Sequence, residues 1–172
     1  MTAEILVVAA IPPFTAEPLE KAFTCHYLTK APDKAKMLAE IGSRIRGVMT
    51  SGGVGINGET IGKLPKLEIV SVFGVGYDPV DVPACKARGI RVTNTPDVLT
   101  DDVADVAIGL MLNVMRRFVI SDRHVRAGDW LKGAQPLAEK VGGKTVGIIG
   151  MGRIGQAIAR RAAAMETKVV YH

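Results

Sequence analysis

The chain has 172 residues, 48% hydrophobic and 23% charged, with a formal net charge of +5. That length admits one large or two small domains, and the composition is that of a globular chain with no low-complexity tract. The longest N-terminal apolar run, ILVVAAI, is too short to span a bilayer and lacks the flanks of a secretory signal, so neither a membrane nor an export route is expected.

Residues 4–10, EILVVAA, read as a buried strand, followed by a helix capped by Thr15. FTCHYL at 23–28 is a second strand, and a helix from Asp33 carries Ala35, Met37, Leu38 and Ile41. RIRGVMT at 44–50 is a third strand ending in the turn SGGVG, and a short helix from Asn57 leads to the fourth, LEIVSVFG at 67–74. The loop VGYDP precedes a helix through VPACKARG, whose Gly89 suits a left-handed helix end. IRVTN at 90–94 closes the set. Apolar runs alternating with helical patterns predict βα units on a parallel sheet, and five strands fit a flavodoxin-like doubly wound layer. Cys25 and Cys85 form no CxxC pair and are expected to be buried thiols of a cytoplasmic protein.

TPDVLTDD at 95–102 breaks the alternation, with Thr100 or Asp101 able to cap the helix that follows. The expected domains are 1–97 and 98–172. From Val103 to Phe118 the apolar positions occupy several helix faces, which predicts cover by more than one neighbour, whether both domains or a partner subunit. A second helix follows at about 120–128. Its basic residues, RR at 116–117 and RHVR at 123–126, are broken by Asp122 and read as a solvated helical surface, so nucleic acid is not expected. His26, His124 and His172 lack metal-ligand spacing, and no metal is expected. WLKGAQPLAEKVGGK reads as loop, TVGIIG at 145–150 as a strand, Arg153–Met165 as a helix and KVVYH as the last strand.

The turn between that strand and helix is Gly150, Met151, Gly152, Arg153, Ile154 and Gly155, a GxGxxG run in βα context. Gly150 would make the tight turn, Gly152 would let the backbone approach a pyrophosphate, and Gly155 would let helix and strand pack closely. Phosphates would sit on amides at the helix start, where the dipole favours negative charge. The alternative is a βα corner with no ligand. The acidic or basic position that separates NAD from NADP falls near 175 in this count, beyond the sequence, so that preference is unreadable.

SVFGVGYDPVDVPACKARGIRVTNTPDVLTDDVADVAIGLML at 71–112 and GGKTVGIIGMGRIGQAIARR at 142–161 resemble the D-isomer-specific 2-hydroxyacid dehydrogenases, in particular their glyoxylate/hydroxypyruvate and hydroxyphenylpyruvate reductases. The resemblance implies a flavodoxin-like substrate-side domain followed by the first part of a Rossmann NAD(P)-binding domain. It further implies NADPH- or NADH-dependent reduction of a small 2-keto acid to the D-2-hydroxy acid. It matches Gly74, Val75 and Gly76 to the loop whose amides receive the substrate carboxylate, and Ser51 and Gly52 to a second substrate-side loop. Glycine-rich turns that aim successive amides at an anion suit that role, although a plain strand-end turn reads equally well. Thr100 and Val103 match positions near the nicotinamide, against helix capping and core packing as the alternative. A homodimer through the cofactor domain, using the 103–118 helix and Trp130, is also implied.

The sequence departs from that family in lacking its carboxylate-clamping arginine and its glutamate–histidine acid pair, so no catalytic residue is assigned. The chain is therefore expected to be a fragment, or the ordered part, of a longer enzyme, and inactive alone. A non-catalytic nucleotide-binding or corepressor-like interaction protein is the competing reading. Relatives acting on formate, phosphite or phosphoglycerate are a third.

Overall fold

A computed structural model describes residues 2–172, which divide between Val98 and Leu99 into two compact units. The first holds parallel strands β1 (Glu4–Val7), β2 (Thr24–Tyr27), β3 (Ile45–Ser51), β4 (Ile69–Phe73) and β5 (Arg91–Thr93). Helices α1 (Pro13–Ala22), α2 (Lys34–Ile41), α3 (Gly58–Gly62) and α4 (Val82–Ala87) connect them. The strand order is β2-β1-β3-β4-β5, the flavodoxin-like doubly wound arrangement. Chain direction across the sheet reverses between β1 and β3, which opens a crevice outside the carboxyl ends of those strands.

Alternation along the strands decides what is buried. In β4, Val70 and Val72 are 0% and 1% exposed, whereas Ile69, Ser71 and Phe73 on the other face are half-buried. The first set joins Leu6, Ile45, Ile61 and Leu64 in one core beneath α2, α3 and α4. Each such side chain contributes on the order of 1.5–3 kcal/mol by leaving water. Helix starts are fixed by short acceptors: Asp33, Asn57 and Asp81 each take a backbone N–H three residues on, at 2.9 Å. Thr50, wholly buried, donates its hydroxyl to Gly55 O at 2.7 Å and holds the turn after β3.

The second unit contains α5 (Thr100–Arg116), α6 (Phe118–Arg126), β6 (Thr145–Ile148), α7 (Arg153–Ala164) and β7 (Lys168–Tyr171). Strands β6 and β7 pair in parallel across the α7 crossover, the first βαβ unit of a Rossmann-type layer. Helix α7 packs on α5, and Arg161 binds Asp101 at 2.9 Å and Asp105 at 2.6 Å. No helix among the described residues is long and apolar enough to cross a membrane.

Several expectations are corrected. Thr15 lies inside α1, because Pro12 holds the cap position and Pro13 opens the helix with a preset φ. Neither Thr100 nor Asp101 caps α5: the cap position is Leu99, with no side-chain bond, and the helix starts at Thr100. It ends at Arg116, since Arg117 is left-handed with φ of +56° and lets α6 begin at Phe118. The loop after α6 contains a one-turn 3₁₀ helix at Asp129–Leu131. Cys85 is buried, but Cys25 on the edge strand is only half-buried. Within this single chain Val106 is 61%, Leu110 59% and Val114 77% exposed, and Ala104 is the buried residue of α5.

Candidate functional site

The sequence points to two glycine turns, one in each unit. In the first unit, Ser51 and Phe73 are register partners at the carboxyl ends of β3 and β4, so the turns that follow leave side by side. Gly52 N–H donates to Phe73 O at 3.4 Å. A Cβ on Gly52 would lie 2.6 Å from Gly76 O, so the two backbones touch where no side chain fits. Gly74 has φ of +142°, a conformation that a side chain would strain. The structure thus brings together all five residues expected on the substrate side: Ser51, Gly52, Gly74, Val75 and Gly76.

Two residues missed by the sequence reading set the direction of the second turn. Thr95 N–H donates to Gly74 O at 2.9 Å, and Asn94 Nδ2 donates to Val75 O at 2.8 Å. In a trans peptide the N–H points opposite to its own carbonyl. Fixing those two carbonyls towards the end of β5 therefore aims the N–H groups of Val75 and Gly76 the other way. No acceptor among the described residues takes either N–H. Paired amides directed out of a turn form a concavity suited to an anion. The only signal for Asn94 in the sequence was its place at a strand end, and its partner depends on β4–β5 pairing.

In the second unit, Gly150 leaves β6 with φ of +92° and donates its N–H to His172 O at 3.0 Å. A Cβ on Gly155 would stand 2.1 Å from Gly150 O, so the first turn of α7 is pressed onto the strand end. Gly152 occupies the cap position without any side-chain bond, and a Cβ there would meet nothing within 4 Å. The space directly beside Gly152 is therefore open. Gln156 Nε2 holds Met151 O at 3.1 Å, and the first turn of α7 has no acidic residue. A twelve-residue helix then presents a positive dipole end whose own first turn carries no carboxylate.

Thr100 and Val103 lie on the first turn of α5, which Arg161 ties to the later part of α7. Arg161 is eight residues beyond Arg153, roughly 12 Å along the helix axis, so this tie to α5 is made well beyond the glycine turn.

The shifted ionisable groups lie outside both turns. Arg44 and then His26, each hydrogen-bonded to Glu4, hold its carboxyl below the usual range. The Tyr27 hydroxyl donates to Glu20 and is pushed up to about 12. Burial raises both thiols, Cys25 and Cys85, the opposite of an activated thiolate. His124 faces Gly133 O at 3.3 Å, while Asp122 pairs with Arg126 instead, at 2.9 Å.

Comparison with known proteins agrees with this anatomy over nearly the whole chain. A glyoxylate/hydroxypyruvate reductase of Arabidopsis thaliana is 46% identical over 168 residues, 98% of this chain and 54% of that protein. A hydroxyphenylpyruvate reductase of Plectranthus scutellarioides is 46% identical over 97% of this chain and 53% of its own length. Among solved structures, the NADPH-dependent glyoxylate/hydroxypyruvate reductase of Sinorhizobium meliloti, in complex with NADP and malonate, superposes with a TM-score of 0.87 at 42% identity. That match covers 100% of this chain and 53% of the other. The chain spans about half the length of the curated relatives it matches. Residues 5–169 match the D-isomer specific 2-hydroxyacid dehydrogenase catalytic domain, and with the flavodoxin-like strand order and the βαβ glycine turn this places the chain in the D-isomer specific 2-hydroxyacid dehydrogenase family.

Proposed function

We propose that the whole protein reduces a small 2-keto acid of the glyoxylate or hydroxypyruvate type to the D-2-hydroxy acid, using NADPH or NADH. The observation that carries this reading is the pair of amides at Val75 and Gly76, aimed outward by Asn94 and Thr95 and left without an acceptor. They would receive the substrate carboxylate, with Gly74, Ser51 and Gly52 shaping the approach. The residues of the second turn fit a dinucleotide: Gly152 leaves space for a pyrophosphate, and Gly155 keeps the start of α7 against the strand. Gly150, Met151, Gly152, Arg153, Ile154 and Gly155 would hold the phosphates, and Thr100 and Val103 would flank the nicotinamide. The chemistry supplied by a bound nicotinamide is hydride transfer to the keto carbon. This chain's part is to bind and orient through its two turns. The Sinorhizobium relative, crystallised with NADP and the dicarboxylate malonate, supports both ligand classes.

In this reading the first unit is the substrate-side domain and the second is the cofactor-binding one. The second unit also mediates homodimerisation, supported by the exposed apolar residues Val106, Leu110, Val114, Phe118 and Trp130. Light scattering of the whole protein at micromolar concentration tests the dimer, with a monomer mass counting against it.

The central test is titration of the whole protein with NADPH and NADH by nucleotide fluorescence, followed by glyoxylate and hydroxypyruvate turnover. Micromolar binding of one nucleotide and turnover of either acid are expected. Binding of neither below millimolar, with no turnover, would end the reading.

A further inference from the structure

Helix α1 differs from α2 in how it meets the sheet. Helix α2 buries Leu38 and Ile41 to 7% and 8% exposure, whereas α1 has no buried residue at all. Its one phenylalanine, Phe14, lies in the first turn and is 72% exposed. That ring nonetheless has a defined partner: its centroid is 6.1 Å from that of Phe73, with the planes tilted at 59°. This is a favourable aromatic geometry, and it leaves the outer surface of Phe14 bare. Phe73 is the last residue of β4 and adjoins Gly74 covalently, while its carbonyl accepts from Gly52. Phe14 follows the carboxyl end of β1, beside the point where the sheet reverses direction. The pair is therefore an aromatic ledge on the rim of the carboxylate-receiving turn.

We infer that Phe14, held in place by Phe73, is a specificity-determining residue that packs against the substituent on the keto carbon and favours 2-keto acids with an aryl or bulky apolar side chain. The inference rests on the proposed 2-keto acid reduction and deepens it. Glyoxylate, with only hydrogen at that position, gains nothing from such a wall. An arylpyruvate carries a ring that can stack on it. Discrimination in an apolar pocket scales with the area removed from water, and tenfold is within the range for a side-chain contact of this size. A phenylalanine that merely anchored α1 would, when truncated, affect all substrates alike.

The test is a comparison of kcat/KM for phenylpyruvate and glyoxylate in the whole protein and in Phe14→Ala and Phe14→Leu variants. Wild type is expected to turn over both acids. In Phe14→Ala the phenylpyruvate-to-glyoxylate ratio is expected to fall about tenfold or more, mainly through KM for phenylpyruvate, with glyoxylate changed less than twofold. Should Phe14→Ala fail to fold, Phe14→Leu keeps an apolar anchor without the ring and decides the question, with a fall of about threefold expected. An unchanged ratio, or a wild type that reduces glyoxylate but not phenylpyruvate, overturns the inference and leaves the proposed activity standing. Turnover of neither acid overturns both.

Discussion

In the first unit Gly52 and Gly76 lie against each other at the carboxyl end of a five-stranded sheet whose residues Leu6, Ile45 and Val70 have no exposed surface. In the second, Gly155 lies against Gly150 at the edge of a two-stranded sheet whose strand residues Val170 and Tyr171 are 43% and 69% exposed. Both turns follow parallel strands and both close backbone on backbone. The first depends on partners far apart in sequence: Ser51 beside Phe73, and Val75 held by Asn94. The second is made within one βα connection, from Ile148 to Gln156, with His172 as its distant contact. A turn built from distant strands is rigid only if the sheet is rigid. A turn built locally keeps its shape on a smaller foundation.

Substitutions can break this comparison, beginning with the tightest contact. Gly155→Ala places a Cβ 2.1 Å from a backbone oxygen that no side-chain rotation can relieve. We expect a loss of about 3 kcal/mol in denaturant unfolding of the second unit, together with loss of nucleotide binding. Gly52→Ala meets Gly76 O at 2.6 Å, so the turns after β3 and β4 must separate. About 2 kcal/mol of stability should be lost and KM for the keto acid should rise, with nucleotide affinity unchanged. A parallel fall in nucleotide affinity would contradict the independence of the two turns.

Gentler changes sharpen the comparison. Gly152→Ala meets open space at an ordinary φ of −74°, so it should cost at most about 1 kcal/mol of stability. It should still weaken NAD(P)H about tenfold, roughly 1.4 kcal/mol, by standing where the phosphates approach. Unchanged nucleotide affinity would remove the role given to that position. Asn94→Ala releases the Val75 carbonyl and should cost about 1 kcal/mol in stability, with a larger proportional rise in KM than fall in kcat.

The smallest effect expected is one of pH. The carboxyl of Glu4 is held below its unfolded value by Arg44 and His26, so folding favours its charged form. That contribution is complete above the ordinary carboxylate pKa and disappears as pH falls through the lower folded value. Glu4→Gln should flatten the acid limb of the stability–pH curve below about pH 4.5 and leave neutral-pH nucleotide binding intact. Identical acid limbs would show that this trio contributes nothing measurable.

The strands and helices were legible because their signals are local. A short apolar run marked β4, and short acceptors at Asp33 and Asn57 marked two helix starts. Thr15 and Thr100 misled for a related reason, since a hydroxyl near a helix start caps only if the chain enters at that residue. Prolines at 12 and 13 and the geometry at Leu99 chose other entry points. The glycine turn of the second unit was readable as far as the tight turn at Gly150 and the close helix–strand approach at Gly155. The orientation of Val75 and Gly76 was not, because Asn94 is 19 residues away and reaches them only through strand pairing.

The sequence by itself therefore determined the order of elements and the shape of one glycine turn, because each depends on residues within a turn or two of one another. Only the tertiary structure decided which amides point outward at the other turn and that Phe14 meets Phe73. Those depend on pairing across the sheet and on packing between elements, whose partners the linear order does not specify.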